Sequence, residues 1–139
     1  MSHSELHRLE YSFVDKIPQI PIRLFGKDAK GGEILTPPIK GVLDSGASRF
    51  TISKSMAEFL KMQLKKVGKG DTAGNQVDSF AATGSFVIGL GEKSITYSDV
   101  YIAVLDSDTP ILVGIDPVWR DFVVTIDASG DKLVLEPRK

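Results

Sequence analysis

Residues 41–53 read GVLDSGASRFTIS. Val42 and Leu43 run into Asp44, three small residues follow, and Phe50, Thr51 and Ile52 resume an extended pattern. The apolar runs predict a strand on each side of Asp44-Ser45-Gly46. The triplet itself predicts a tight turn, because aspartate accepts backbone hydrogen bonds and glycine adopts angles that other residues resist. Such a turn is an ordinary folding device. Whether it also carries chemistry depends on what surrounds it.

Upstream, Ile17 to Leu24 places apolar residues on one face at period two, and Pro18 and Pro21 suit an edge strand or an extended N-terminal ribbon. Residues 26–32 turn, and Ile34 to Leu43 returns as a strand broken at Pro37-Pro38. Downstream, Ser53 to Met62 switches to helical spacing, with a capping-box match from Ser55 to Glu58. The glycine-rich run 67–75 and the long apolar run 77–90 predict a hairpin with its tip at Gly74-Asn75 and a bend at Gly84. Strands are expected over 95–105, 122–126 and 132–135, with an apolar run at 111–115 and a helical turn or loop at 117–122. Many short strands and one internal helix define an all-β single domain, a closed barrel or folded sheet. Residues 1–16 read as an N-terminal arm, loose or forming an irregular first strand, before a domain at 17–139.

The 139 residues include 17 Lys+Arg against 18 Asp+Glu, a net charge of -1, so no basic excess attracts nucleic acid or anionic membrane. There is no cysteine, which removes disulfides, thiolate metal sites and cysteine nucleophiles. His3 and His7 lie four apart but lack a third ligand, so neither metal nor cofactor is expected. They also sit far from Ser45 and Ser48, and no Gly-x-Ser-x-Gly elbow surrounds either serine, which argues against a serine hydrolase. The polar N-terminus lacks an apolar leader, and no apolar run approaches the roughly 18 residues of a membrane span. A cytoplasmic protein is the expectation.

Pro38 to Ser53 resembles the active-site loop of the retropepsin-like aspartic proteases, in which an apolar strand delivers Asp-Thr/Ser-Gly-Ala and a second strand leaves it. Ile111-Leu112-Val113-Gly114 is similar to the apolar-apolar-Gly strand behind that loop, and the hairpin around 71–75 falls where the family carries its flap. Three departures accompany the match. Gly74 stands alone at the hairpin tip where viral members often have paired glycines, Ile115 replaces an arginine after Gly114, and Ser48 replaces an aspartate.

The resemblance implies a retropepsin-like acid protease barrel with a flap hairpin, active as a homodimer on peptide substrates. Asp44 would be catalytic, and because the chain holds one Asp-Ser-Gly, the second carboxylate would come from a second copy. The pair would share one proton, so activity would favour acidic to near-neutral pH. Ser45, Gly46 and Ala47 would support the loop. Ser48, Thr72, Ala73, Gly74 and Asn75 would meet substrate, while Ile111, Leu112 and Gly114 would form the strand behind. Ile39, Val42, Arg49, Ala73, Val87 and Ile111 would shape pockets where they point inward. Asp116, Asp121 and Asp127 read as turn or cap residues, not as a second catalytic carboxylate in cis. The alternative is a retropepsin-fold peptide-binding or dimerisation module with little or no cleavage.

Overall fold

The computed structural model describes residues 2–3, 6–12, 17–72 and 74–138. In chain order the strands are β1 (Ser2–His3), β2 (Leu9–Ser12), β3 (Gln19–Lys27), β4 (Glu33–Leu35), β5 (Ile39–Leu43), β6 (Thr51–Ser53), β7 (Lys65–Thr72), β8 (Asn75–Ile88), β9 (Ile95–Leu105), β10 (Ile111–Val113), β11 (Phe122–Asp127) and β12 (Lys132–Pro137). Helix α1 spans Lys54–Phe59 and α2 spans Val118–Asp121. The order β9-β6-β10-β5-β3-β8 closes on itself because β8 also pairs with β9, so these strands form a barrel. Strands β1, β4 and β7 attach to it, and β11-β12-β2 form a separate three-stranded sheet. The all-β barrel expected from the sequence is the observed fold.

The alternation seen in the sequence is what closes the core. Ile20, Ile22 and Leu24 point inward from β3, Leu43 from β5, Ile52 from β6, and Ile102 and Val104 from β9. Phe50 stacks on Phe86 with ring centroids 3.8 Å apart, and Phe86 continues to Tyr97 at 5.2 Å. Gly41 is required at its place in β5, since a β-carbon there would lie 2.5 Å from Ile22 Cγ1.

Several expectations need correction. Strand β3 is not an edge strand: it pairs with β5 on one flank and with β8 and β4 elsewhere along its length. Its Pro21 is tolerated because the Pro21 carbonyl faces Gly89, just past the end of β8, so no ladder donor is missed on that flank. The helix is capped by Ser53, whose hydroxyl accepts from Met56 N at 3.2 Å, and not by Ser55. In the N-terminal segment β1 pairs with β9 and β2 with β12, and Leu9 is buried in the core.

The hairpin β7–β8 forms as expected, but its turn lies between the paired Thr72 and Asn75, with Gly74 at φ 86°, so Asn75 begins β8 instead of sharing the turn. The bend appears as a register shift between Gly84 and Phe86. Pairing between β8 and β9 begins at Ser79, so residues 69–72 and 74–78 project beyond the barrel as a two-stranded arm. No helix among the described residues is long and apolar enough to cross a membrane.

Candidate active site

Asp44 follows β5 directly. Its N–H donates to the Val113 carbonyl at 3.2 Å, which carries the parallel β5–β10 pairing one step into the turn. The same carbonyl accepts the Trp119 indole N–H at 2.8 Å. The turn then closes on its own aspartate: Ala47 N donates to the Asp44 carbonyl at 3.2 Å and Gly46 N to Asp44 Oδ1 at 2.8 Å. A β-carbon at residue 46 would crowd that same oxygen at 3.1 Å. One carboxylate oxygen is thus fixed, and Oδ2 has no hydrogen-bond partner among the described residues.

The loop rests on the chain after β10. Ile115 N donates to the Ala47 carbonyl at 2.9 Å, Asp116 N to the Ser48 carbonyl at 3.0 Å, and Phe50 N to the Asp116 carbonyl at 2.9 Å. Gly114 lies beneath, where a β-carbon would stand 2.4 Å from the Arg49 carbonyl oxygen. Only glycine fits this crossing, which is why the apolar-apolar-Gly pattern accompanies the Asp44 turn. Ala47 is half-buried, whereas Ser45, Gly46 and Ser48 are exposed.

Register defines the floor next to Asp44. Val42 pairs with Leu112, Leu112 with Thr51, and Thr51 with Ala103, so one row crosses β5, β10, β6 and β9. Paired residues project to one face of a sheet. Ile111 and Val113 face the core on the opposite side, so Leu112, expected behind the loop, belongs to the Asp44 face. Of the pocket residues, Ile111 packs in the core and Val87 is buried, so neither lines an open pocket, while Ile39 packs against the core from its edge. Val42 and Arg49 are half-exposed.

Gly74 and Asn75 sit at the end of the projecting arm and are exposed. Thr72 is described through its backbone, opposite Asn75, and Ala73 lies outside the described residues. A groove of about 760 Å³ lined by Phe25, Lys27, Leu60, Met62 and Tyr101 contains none of the residues of the Asp44 turn. The surface at Asp44 is open in the single chain.

Two interactions had no local sequence signal. Asp116 is not a cap: its Oδ2 lies 3.4 Å from both the Arg49 and the Arg120 guanidinium, and Arg49 stacks on the Tyr101 ring at 4.1 Å. Buried Tyr97 donates to Asp121 Oδ2 at 2.9 Å, and burial followed by the Asp121 charge raises the phenol well above its ordinary range. Asp127 is a turn residue as expected, its Oδ1 accepting from Ser129 and Gly130. Among the described residues no three His, Cys, Asp or Glu side chains converge as a metal site.

The family model described as aspartyl protease matches residues 29–116. The fold is similar to the crystal structure of a retropepsin-like aspartic protease from Rickettsia conorii, with a TM-score of 0.56 and 20% identity over 97% of this chain and 94% of that one. It is also similar to inhibitor-bound EIAV protease, with a TM-score of 0.52 and 16% identity over 79% of this chain and 92% of that one. The search of the curated proteins gives no match.

Proposed function

Because the chain belongs to the retropepsin-like aspartyl protease family, we propose that it is an aspartic endopeptidase in which two copies of Asp44, one from each protomer of a homodimer, hydrolyse peptide bonds. The observation that carries this reading is the state of the Asp44 carboxylate. One oxygen is held by Gly46 N and the other is unengaged, on a half-exposed turn whose own chain supplies no partner among the described residues.

Two such turns meeting on a two-fold axis form the site. The pair retains one proton between them. The ionised carboxylate takes a proton from water as the water oxygen bonds to the scissile carbonyl carbon, and the protonated partner hydrogen-bonds to the carbonyl oxygen as it gains charge. The tetrahedral intermediate collapses when the amide nitrogen accepts a proton and the C–N bond breaks. Exposed Ser45 and Gly46 are the contacts through which the two loops hold each other, a reading supported by their exposure and by a Ser45 hydroxyl with no hydrogen-bond partner among the described residues. The arm 69–78 serves as a flap that offers backbone groups at Gly74 and Asn75 to an extended peptide, while Ser48 and the floor of Val42 and Leu112 receive side chains.

Asp44→Asn is the test, because an amide oxygen still accepts from Gly46 N while the ionisable group is lost. Cleavage of a mixed peptide library between about pH 4 and 7 is expected to fall about 10³-fold or more. Specific activity of the wild type is expected to drop on dilution as dimers dissociate. Equal cleavage by wild type and Asp44→Asn overturns the proteolytic reading, and specific activity that is independent of concentration across a measured monomer–dimer transition overturns the shared site. Asp44-independent peptide binding without cleavage would assign the chain to the binding-module class.

A further inference from the structure

The row Val42, Leu112, Thr51, Ala103 crosses four neighbouring strands in register. Arg49 precedes β6 and bridges Asp116 in parallel. Two residues toward the turn from Val42, Leu112 and Ala103 stand Asp44, Gly114 and Tyr101. Alternation returns these to the same face as the row above them. The Arg49 guanidinium lies over Tyr101 on that face, and the Arg49 carbonyl approaches Gly114, next to the Val113 carbonyl that accepts Asp44 N, so about two strand spacings, about 10 Å, separate Arg49 from Asp44.

The guanidinium is held in place on that face. It lies 4.1 Å from the Tyr101 ring centroid and 3.4 Å from Asp116 Oδ2, yet its side chain is 42% exposed. Its backbone is fixed too, since the Arg49 carbonyl accepts the Thr51 hydroxyl at 2.8 Å and Phe50 N donates to Asp116. Charge does not balance here. Arg49 and Arg120 share the single Asp116 oxygen at 3.4 Å each, and among the described residues neither arginine has another acid in ion-pair range. Two positive groups on one carboxylate leave one positive charge, and the exposed Arg49 fork can still accept a planar anion bidentately. Stacking on Tyr101 has already restricted the rotamers, so little ordering remains when an anion binds.

We propose that Arg49 is a specificity-determining residue that selects peptides carrying a glutamate or aspartate side chain within about three residues of the bond at Asp44, given that an extended chain advances about 3.4 Å per residue. This rests on the proteolytic reading for its setting, but it concerns binding and is testable apart from cleavage. The recognised group is a substrate carboxylate. A side chain is its source, and a free peptide C-terminus is the competing one.

The experiment uses peptides with amidated C termini, in pairs that differ by Glu against Gln at each position up to three residues on either side of the scissile bond. At about pH 6 glutamate is ionised. Wild type is expected to prefer Glu in kcat/KM by about five- to tenfold at one position. Arg49→Gln brings that ratio to about one, and Arg49→Glu turns the preference toward Lys at the same position. In wild type alone, raising salt to about 1 M shrinks the ratio, a readout that stands if the Arg49 variants fail to fold.

Binding of the same pairs to the Asp44→Asn protein, followed by fluorescence anisotropy, separates the two readings. If Asp44-dependent cleavage is absent, the proteolytic reading fails, and the Glu/Gln affinity ratio still judges Arg49. A wild-type ratio near one in both cleavage and binding overturns the proposal, as does a ratio that Arg49→Gln leaves unchanged. A preference seen only with free C termini overturns the side-chain source.

Discussion

Gly114 lies so close under Ala47 that a β-carbon on the glycine would stand 2.6 Å from the Ala47 carbonyl oxygen, the same oxygen that accepts the Ile115 N–H at 2.9 Å. Backbone meets backbone at this point, so neither side relaxes by turning a side chain. Gly114→Ala is expected to destabilise the fold by about 2–3 kcal/mol through overpacking. Urea denaturation measures it, and a loss under about 0.5 kcal/mol, the range of a neutral surface change, would show that the crossing is not tight.

Trp119→Phe removes one of two donors to the Val113 carbonyl and leaves Asp44 N alone, at 3.2 Å. The expected loss is about 1 kcal/mol from the missing hydrogen bond, with the aromatic packing largely kept. Hydrogen exchange at the Asp44 amide should speed up more than exchange in the distant β11–β12 pair. Uniform acceleration across the chain would mean that Trp119 steadies the whole fold and not this turn.

Alkaline stability depends on Tyr97. Its phenol is raised above the ordinary value of about 10, mainly by burial and then by Asp121, so the folded protein keeps a proton that the unfolded chain loses. Stability is therefore full below the unfolded value and falls as pH rises above about 10, by about 1.4 kcal/mol per pH unit from this group. Tyr97→Phe should flatten that decline while leaving a smaller slope from Tyr11, also raised by burial. An unchanged alkaline slope in denaturation at pH 9 to 11 would rule out Tyr97 as its source.

Gly74 sits at φ 86° in the hairpin turn, a region costly for a β-branched residue. Gly74→Val should add about 1–2 kcal/mol of local strain and fray the arm. Because residues 69–72 and 74–78 lie beyond the barrel, global unfolding should move little. If the arm is a flap, KM for peptides rises while urea stability stays within about 0.5 kcal/mol of wild type. A large loss of global stability with unchanged KM would assign the tip to folding instead.

The Asp44 turn, the strand at 111–113 and the hairpin tip were legible because each is written in consecutive residues: apolar alternation, small residues at a bend, glycine where φ is positive. The 95–105 strand was legible for the same reason. What could not be read was lateral. Arg49 meets Tyr101 because β6 pairs in parallel with β9, and no local pattern announces which strands become neighbours. Pro21 misled for a related reason: proline excludes a ladder partner only at the point its nitrogen faces, and β8 ends just short of that point, so β3 keeps neighbours along the rest of its length. Ser53 rather than Ser55 caps α1 because β6 runs directly into the helix, so the last strand residue already has the extended backbone a cap needs.

Strand β7 ends the sheet, so its outer backbone edge has no strand partner among the described residues, while Lys65, Lys66 and Lys69 line its length and the ladder is broken between Lys66 and Gly68. An exposed edge of this kind invites any other strand to add to it, and repeated lysines with a bulge are what discourage indiscriminate pairing. The arm can thus keep an open edge in solution without seeding aggregation.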